Sequence, residues 1–470
     1  MMKELILSDI VTLIKGTVIH GTDNIIIKGV KNRTKKKMKD NHILFHIKRD
    51  KIRGSFWEGY KSLAVITDVP EQIGEWRDNL TVIVVSDIQE AYWTFIDYYR
   101  GLFDIPIIGV TGTCGKSTTK EMILQILEKD FNVEATWESM NSMSVNLRYL
   151  TDIDESTEIA VYEMPVAYPG YLKVACRYFK PQIRILLNIG VHHLADCETP
   201  ETYMKAKAEI VDGMDHEADI LILNGDDENI KKMVDTSPYK NVVYFGKDDT
   251  AHFQAENITY AVNGMKFTLK HEGKCYEVFV PGYGEHNVYN AMAAIAAVSY
   301  AGVEMETAIK GLASFSHLEE HLECKQGMNG AVIIDDTWNS APLSMSTGLK
   351  VLSDLSKDKT SIALLGYMPQ LGDGQFAVDQ YRKMGEEAFS TGVDLLFVVG
   401  KEAEQIGISA IECGMDQSKV HFCETGTEIY AIVKDYLSDQ AVLYIKITHR
   451  VMTRDSFVEL KKKLIPDEES

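Results

Sequence analysis

The stretch IPIIGVTGTCGKSTTKEMILQIL, residues 105–127, runs from an apolar strand through a glycine loop into an amphipathic helix. It reads as a phosphate-binding loop, or P-loop. Gly112 and Gly115, with Thr113 between them, let the backbone approach an anion, and the amides opening the next helix point at it with the helix dipole behind them. Lys116 is placed to reach the terminal phosphates of a nucleotide, and the hydroxyls of Ser117 and Thr118 to hold Mg2+. The strict G-x-x-x-x-G-K-[ST] pattern is not met, because position 110 is Val. The bland alternative is an ordinary strand-to-helix turn with a solvated Lys116. A strand, two glycines and Lys-Ser-Thr in one run weigh against it.

Downstream of the loop, apolar strands at 158–163, 182–189 and 220–224 alternate with helical patterns at 170–179 and 202–211. That rhythm predicts a parallel sheet covered on both faces, with ligands at the carboxyl ends of its strands. Residues 250–281 turn strand-rich, and 285–300 form an alanine-rich helix. Upstream, helices at 4–13 and 87–100 and strands at 25–30, 42–47, 62–67 and 81–85 predict a small mixed α/β unit. After about residue 321, strands at 331–335, 361–366, 394–400, 420–423 and 442–447 predict another α/β unit. The expected fold is therefore α/β in three domains: an N-terminal mixed domain (1–104), a central P-loop parallel-sheet domain (105–320) and a C-terminal Rossmann-like domain (321–470). Residues 316–323 are the expected hinge.

A chain of 470 residues with 45% hydrophobic and 25% charged residues has ample material for several cores. Its net charge of -20 argues against nucleic acid or an anionic membrane as partner. The basic run at 32–39 (NRTKKKMK) reads as a solvated loop. Seven scattered cysteines with no C-x-x-C spacing point to reduced thiols. No run approaches a membrane span, so a cytoplasmic protein without membrane insertion is expected.

Four further clusters carry chemistry-bearing side chains. Glu163 ends a strand, where a carboxylate suits a metal ion, although alone it is equally a surface residue. NIGVHH at 188–193 puts imidazole at the same sheet edge. Lys207 sits in the helical KAKAE, and taken alone is a solvated lysine. The acidic NGDD at 224–227 follows another strand and alone reads as a turn.

In order, GTCGKSTT, Glu163, NIGVHH, KAKAE, LNGDD, GEHNVYNAMAAIAA and IDDTWNSAP resemble the Mur ligase family of ATP-dependent amide-bond-forming enzymes over residues 105–470 and, more weakly, the N-terminal domain. The resemblance implies ATP and Mg2+ as cofactors and two small-molecule substrates, a carboxylate and an amine. Within the family the motifs imply D-alanyl-D-alanine joined to a UDP-N-acetylmuramoyl-tripeptide in peptidoglycan precursor synthesis, through an acyl phosphate, by a monomer. It places Lys116 on the phosphates, with Ser117 and Thr118 at the nucleotide's magnesium and Glu163 and His193 at a second one. Lys207 matches a lysine carbamylated by CO2, which turns a cation into an anion beside the metal. His286, Asn287 and Asn290 match the segment near the nucleotide base. Asp336 and Asn339 match the C-terminal contribution to the closed ATP site. Asn141 matches the substrate loop, and Lys446 a lysine facing the incoming amine.

Departures from the family pattern fall on recognition positions. The uridine element is Gly29-Val30-Lys31-Asn32-Arg33, keeping only the arginine, and the substrate loop keeps Asn141 but has Ser144 and Asn146 for the usual Gly and Pro. His321 stands for an arginine, and the C-terminal element reads Lys446-Ile447-Thr448-His449-Arg450. A paralogue with the same ATP chemistry and a different substrate pair is the alternative. A P-loop GTPase or kinase would need an Asn-Lys-x-Asp motif, which is absent, and would leave His193 and Lys207 without a role. A non-catalytic nucleotide-binding partner protein would be expected to lose the metal and lysine positions, and they are retained.

Overall fold

The computed structural model describes residues 2–34, 38–191, 194–372 and 374–466. Three main sheets follow one another along the chain. The first has five strands between Thr17–His20 and Leu80–Val84, and a separate pair, Leu5–Ile6 with Ile26–Ile27, closes one side. That pair corrects the helix expected from residue 4: pairing holds Leu5 and Ile6 extended, and the helix is Leu7–Leu13. The strand expected at 25–30 is likewise split, into Ile26–Ile27 and Gly29–Lys31, which join different sheets.

The central sheet has nine strands, with the loop strand Ile107–Thr111 between Ile159–Glu163 and Ile183–Leu186. From the edge strand Val133–Ala135 as far as Phe253–Ala261 all neighbours are parallel. The sheet is nevertheless mixed. Gly264–His271 and Lys274–Pro281 extend it as an antiparallel meander, because the turns at Asn263 and Gly273 reverse the chain without a crossover helix. Successive side chains on a strand face opposite layers. Ile107, Tyr162 and Leu186 enter one apolar cluster, and Ile108, Val161 and Ile185 enter the other. The loop helix Lys116–Leu127 and the alanine-rich helix Glu285–Tyr300 cover the second face.

The last sheet has six strands. Five are parallel, and Glu323–Gln326 is an antiparallel edge strand that starts at the last residue of the expected hinge. Helix Pro342–Leu355 follows strand Val332–Asp335 and packs on one face. Among the described residues no helix is long and apolar enough to cross a membrane.

Candidate active site

All parallel strands of the central sheet end on one side, and chain order reverses about the loop strand: Ile159–Glu163 lies to one side, Ile183–Leu186 to the other. Such a switch point leaves a crevice above the strand ends. Here it opens into a cavity of about 1170 Å³, roofed by the C-terminal unit.

The phosphate loop is held from below by Asn188. Its Oδ1 accepts from the amides of Thr113 (3.0 Å) and Cys114 (2.9 Å), while its Nδ2 donates to the Cys114 carbonyl (3.0 Å). Gly115 is left-handed (φ 83°), which favours glycine, and a Cβ there would lie 2.4 Å from Asn290 Oδ1 and push that side chain aside. Asn287 and Asn290, one turn apart on the alanine-rich helix, share the face toward the loop. Asn290 abuts Gly115, whereas Asn287 Nδ2 donates to the Pro281 carbonyl (2.5 Å) and its buried Oδ1 has no hydrogen-bond partner among the described residues. Lys116 Nζ donates back to the Thr113 carbonyl (3.2 Å), and Thr118 lines the same cavity.

Glu163, 5% exposed, receives Ser117 Oγ on Oε2 (2.7 Å) and Asn141 Nδ2 on Oε1 (2.7 Å). Ser139 Oγ lies 3.1 Å from Ser117 Oγ. Both carboxylate oxygens thus face the helix start and the loop carrying Asn141, in a set of hard oxygen donors that suits Mg2+. Lys207, 1% exposed, donates to the Gly112 carbonyl (2.7 Å). No carboxylate pairs with it among the described residues. Burial, with the nearby Lys116 charge, holds its ammonium well below the usual lysine range, against a weaker opposing pull from Glu163. His193 and its neighbour His192 lie outside the described residues.

From the C-terminal unit come Asp336, Asn339 and Lys446. Lys446 does not face the cavity as a free cation: it is 2% exposed, and its Nζ lies 2.5 Å from Asp336 Oδ2, which also accepts from Tyr444 (3.1 Å). The reason is the register of strands Val332–Asp335 and Ala441–Lys446, which run side by side and bring carboxylate and ammonium together at their ends. Asn339 Oδ1 accepts from the Ser340 amide (2.8 Å) at the cavity wall. Two residues escape sequence reasoning. Asn188 is visible as a polar strand-end residue opposite the loop, while Ser139 carries no signal of its own.

Comparison with known proteins agrees with this fold. Residues 110–298 match the family model of the Mur ligase middle domain. The UDP-N-acetylmuramoyl-tripeptide--D-alanyl-D-alanine ligase of Bacillus subtilis is 28% identical over 444 residues, covering 93% of this chain and 94% of that protein. Its namesake in Escherichia coli is 25% identical over 370 residues, covering 78% and 79%. Among solved structures, MurF from Acinetobacter baumannii superposes with a TM-score of 0.81 at 20% identity, covering 98% of this chain and all of that one. MurF ligase from Thermotoga maritima in complex with ADP gives 0.76 at 21% identity, covering 93% and 97%. Residues 110–298 thus match a Mur ligase middle domain, and over nearly its whole length the chain is similar in sequence and fold to ligases of that kind.

Proposed function

We propose that the protein is an ATP-dependent carboxylate–amine ligase that joins D-alanyl-D-alanine to a UDP-N-acetylmuramoyl-tripeptide in peptidoglycan precursor synthesis, releasing ADP and phosphate. The observation that carries this reading is the convergence on one cavity of the phosphate loop, the buried Glu163 bonded to Ser117 and Asn141, and the buried Lys207 on the Gly112 carbonyl. The names of the Bacillus subtilis and Escherichia coli relatives support the substrate pair, and the ADP complex of the Thermotoga maritima relative supports the nucleotide. We take 1–104 as the substrate-recognition domain, 105–320 as the ATP-binding domain and 321–470 as the ligase domain of a cytoplasmic monomer.

A carboxylate is a poor acyl donor, so its oxygen first attacks the terminal phosphorus of ATP, giving an acyl phosphate and ADP. The amine then attacks the carbonyl carbon, phosphate leaves, and a proton is lost to solvent. In this chain the loop amides hold the phosphates, and Lys116 leaves the Thr113 carbonyl to offset charge on the transferred group. Ser117, Thr118, Glu163, His193 and Lys207 would hold Mg2+, which when bound screens the phosphate charge. Asn141 and Ser139 keep Glu163 and Ser117 aimed. Burial lowers the Lys207 ammonium pKa and so favours the free amine that attacks CO2: an N–C bond forms, one proton leaves, and the side chain becomes an anion. Asn287, Asn290, Asp336 and Asn339 complete the nucleotide site.

The test is phosphate release from ATP with Mg2+ and bicarbonate, offering the tripeptide nucleotide and D-alanyl-D-alanine together and separately. Release that needs both is expected, and Lys207→Arg should lower it by roughly 100-fold with ADP binding kept. Release without both substrates, or full turnover in that variant, overturns the reading. One observation favours a second reading, a paralogue with another amine. Lys446, the position matched to amine recognition, is engaged by Asp336. Turnover with a different pair would select it.

A further inference from the structure

Helix Pro342–Leu355 of the C-terminal unit lies along the rim of the central unit. Four contacts fall on one of its faces. Near its start, Leu343 packs under Gly190, where a Cβ would meet Leu343 Cδ2 at 3.1 Å, and the Gly190 amide in turn donates to Thr113 Oγ1 of the phosphate loop (2.8 Å). Two turns on, Lys350 stands 4.0 Å from Glu285, and Val351 Cγ2 lies 2.7 Å from where a Cβ on Gly284 would stand. At the far end Asp354 Oδ2 accepts the hydroxyl of Tyr260 at 2.7 Å. Positions 343, 350, 351 and 354 are spaced seven, eight and eleven apart, which is one stripe of a 3.6-residue helix.

Tyr260 lies near the end of strand Phe253–Ala261, opposite Met265 on the first strand of the antiparallel extension, stacks at 6.0 Å on Tyr283, and lines the cavity together with Asp354. Tyr283 and Val191 also pack against the C-terminal core. The seam is therefore anchored by an apolar contact beside the phosphate loop and fastened by a polar one at the opposite end. We infer that the Tyr260–Asp354 hydrogen bond is a clasp that holds the C-terminal unit over the bound nucleotide, making both side chains positioning residues. The inference rests on the nucleotide-dependent reading above. It also explains the sheet extension, which serves as the seat on which the roofing helix docks.

The probe is Mg-ADP binding to the full chain by calorimetry, with Tyr260→Phe, Asp354→Asn and the double variant compared with wild type. Each single change is expected to weaken binding roughly three- to tenfold, and the double to be no weaker than the singles, because one hydrogen bond is lost in every case. Melting temperatures should stay together. In turnover, KM for ATP should rise with kcat little changed, and phosphate released per amide formed should exceed one as water reaches the acyl phosphate. Unchanged ADP affinity, or losses that add in the double variant, would overturn the clasp. Wild type that binds ADP yet turns over no substrate pair would defeat the ligase reading, with the clasp then judged on the binding ratios.

Discussion

The central unit meets its two neighbours in opposite ways. Toward the N-terminal unit there is no seam to open: one apolar cluster runs from Met2 through Phe45, Tyr99 and Tyr162 to Val234. Polar groups within it are internally paired. Tyr99 donates to the Ile153 carbonyl (2.9 Å), Arg100 to that of Phe179 (2.8 Å), and the Tyr92 and Tyr178 hydroxyls lie 2.7 Å apart. Toward the C-terminal unit the contact is one helix face, with Val191 and Tyr283 packed beside it, and a polar linker, over the cavity of about 1170 Å³. A buried core fixes two bodies as one, whereas a narrow, partly polar contact allows rotation. On the ligase reading proposed above, admitting ATP and two substrates and then excluding water needs the second kind beside the phosphate loop.

The largest effect should come from cutting the fused side. Tyr99→Ala removes a fully buried ring and takes the hydroxyl away from the Lys3 amide and the Thr151 and Ile153 carbonyls, and is expected to cost about 3–5 kcal/mol. Urea unfolding should lose the N-terminal and central units together, with the C-terminal unit following its own transition. Separate transitions for the first two units would break the comparison.

The legible parts of this molecule are those carried by neighbouring residues. The strand, glycines, Lys116 and Ser117 occupy one run, so the loop and its position at a sheet edge can be read directly. Glu163 and Lys207 gain meaning only by resemblance, since a strand-end carboxylate and a helical lysine are commonplace. Lys446 reads as facing a substrate because its partner Asp336 is 110 positions away and nothing local announces the pair. The fused seam is hidden for the same reason, its bonds joining residues 52 to 86 apart. The edge strand Val133–Ala135 is too short to leave a pattern, and helix Met143–Asp152 begins inside what reads as a polar substrate loop.

A middle-sized effect should appear with pH, on the movable side. His286, beside Gly284 at the rim, is pushed down to about 3 by burial, with His317, Lys446 and Lys350 adding like charge. Between pH 6.5 and 3 the unfolded chain takes up a proton that the folded one refuses, so stability falls as pH drops through that window. The slope from this one residue is at most about 1.4 kcal/mol per pH unit. His286→Leu should flatten the acid side of the stability profile. An unchanged profile would remove His286 as the group that titrates there.

The smallest change in stability should come from the hinge, where the comparison becomes sharpest. Glu320 and Leu322 both adopt left-handed backbone (φ 61° and 54°) without being glycine, a conformation that costs roughly 1 kcal/mol each and persists only where other contacts impose it. Those contacts are visible: Glu320 accepts from Lys461 (2.6 Å) and pairs with His449 (3.0 Å), while its carbonyl accepts from the Trp338 amide (3.2 Å). Glu320→Gln weakens the charge pairing and leaves Lys461 on Asp335 (2.9 Å), so global stability should fall by less than about 1 kcal/mol. The same change frees the linker to leave its strained shape. Limited proteolysis within 316–323 should therefore quicken in the variant and slow again when Mg-ADP is added, while the fused N-terminal and central units stay intact as one fragment. If cleavage within 316–323 is as slow in Glu320→Gln as in wild type, the ion pairs are surface decoration and the strained backbone is held by the core alone.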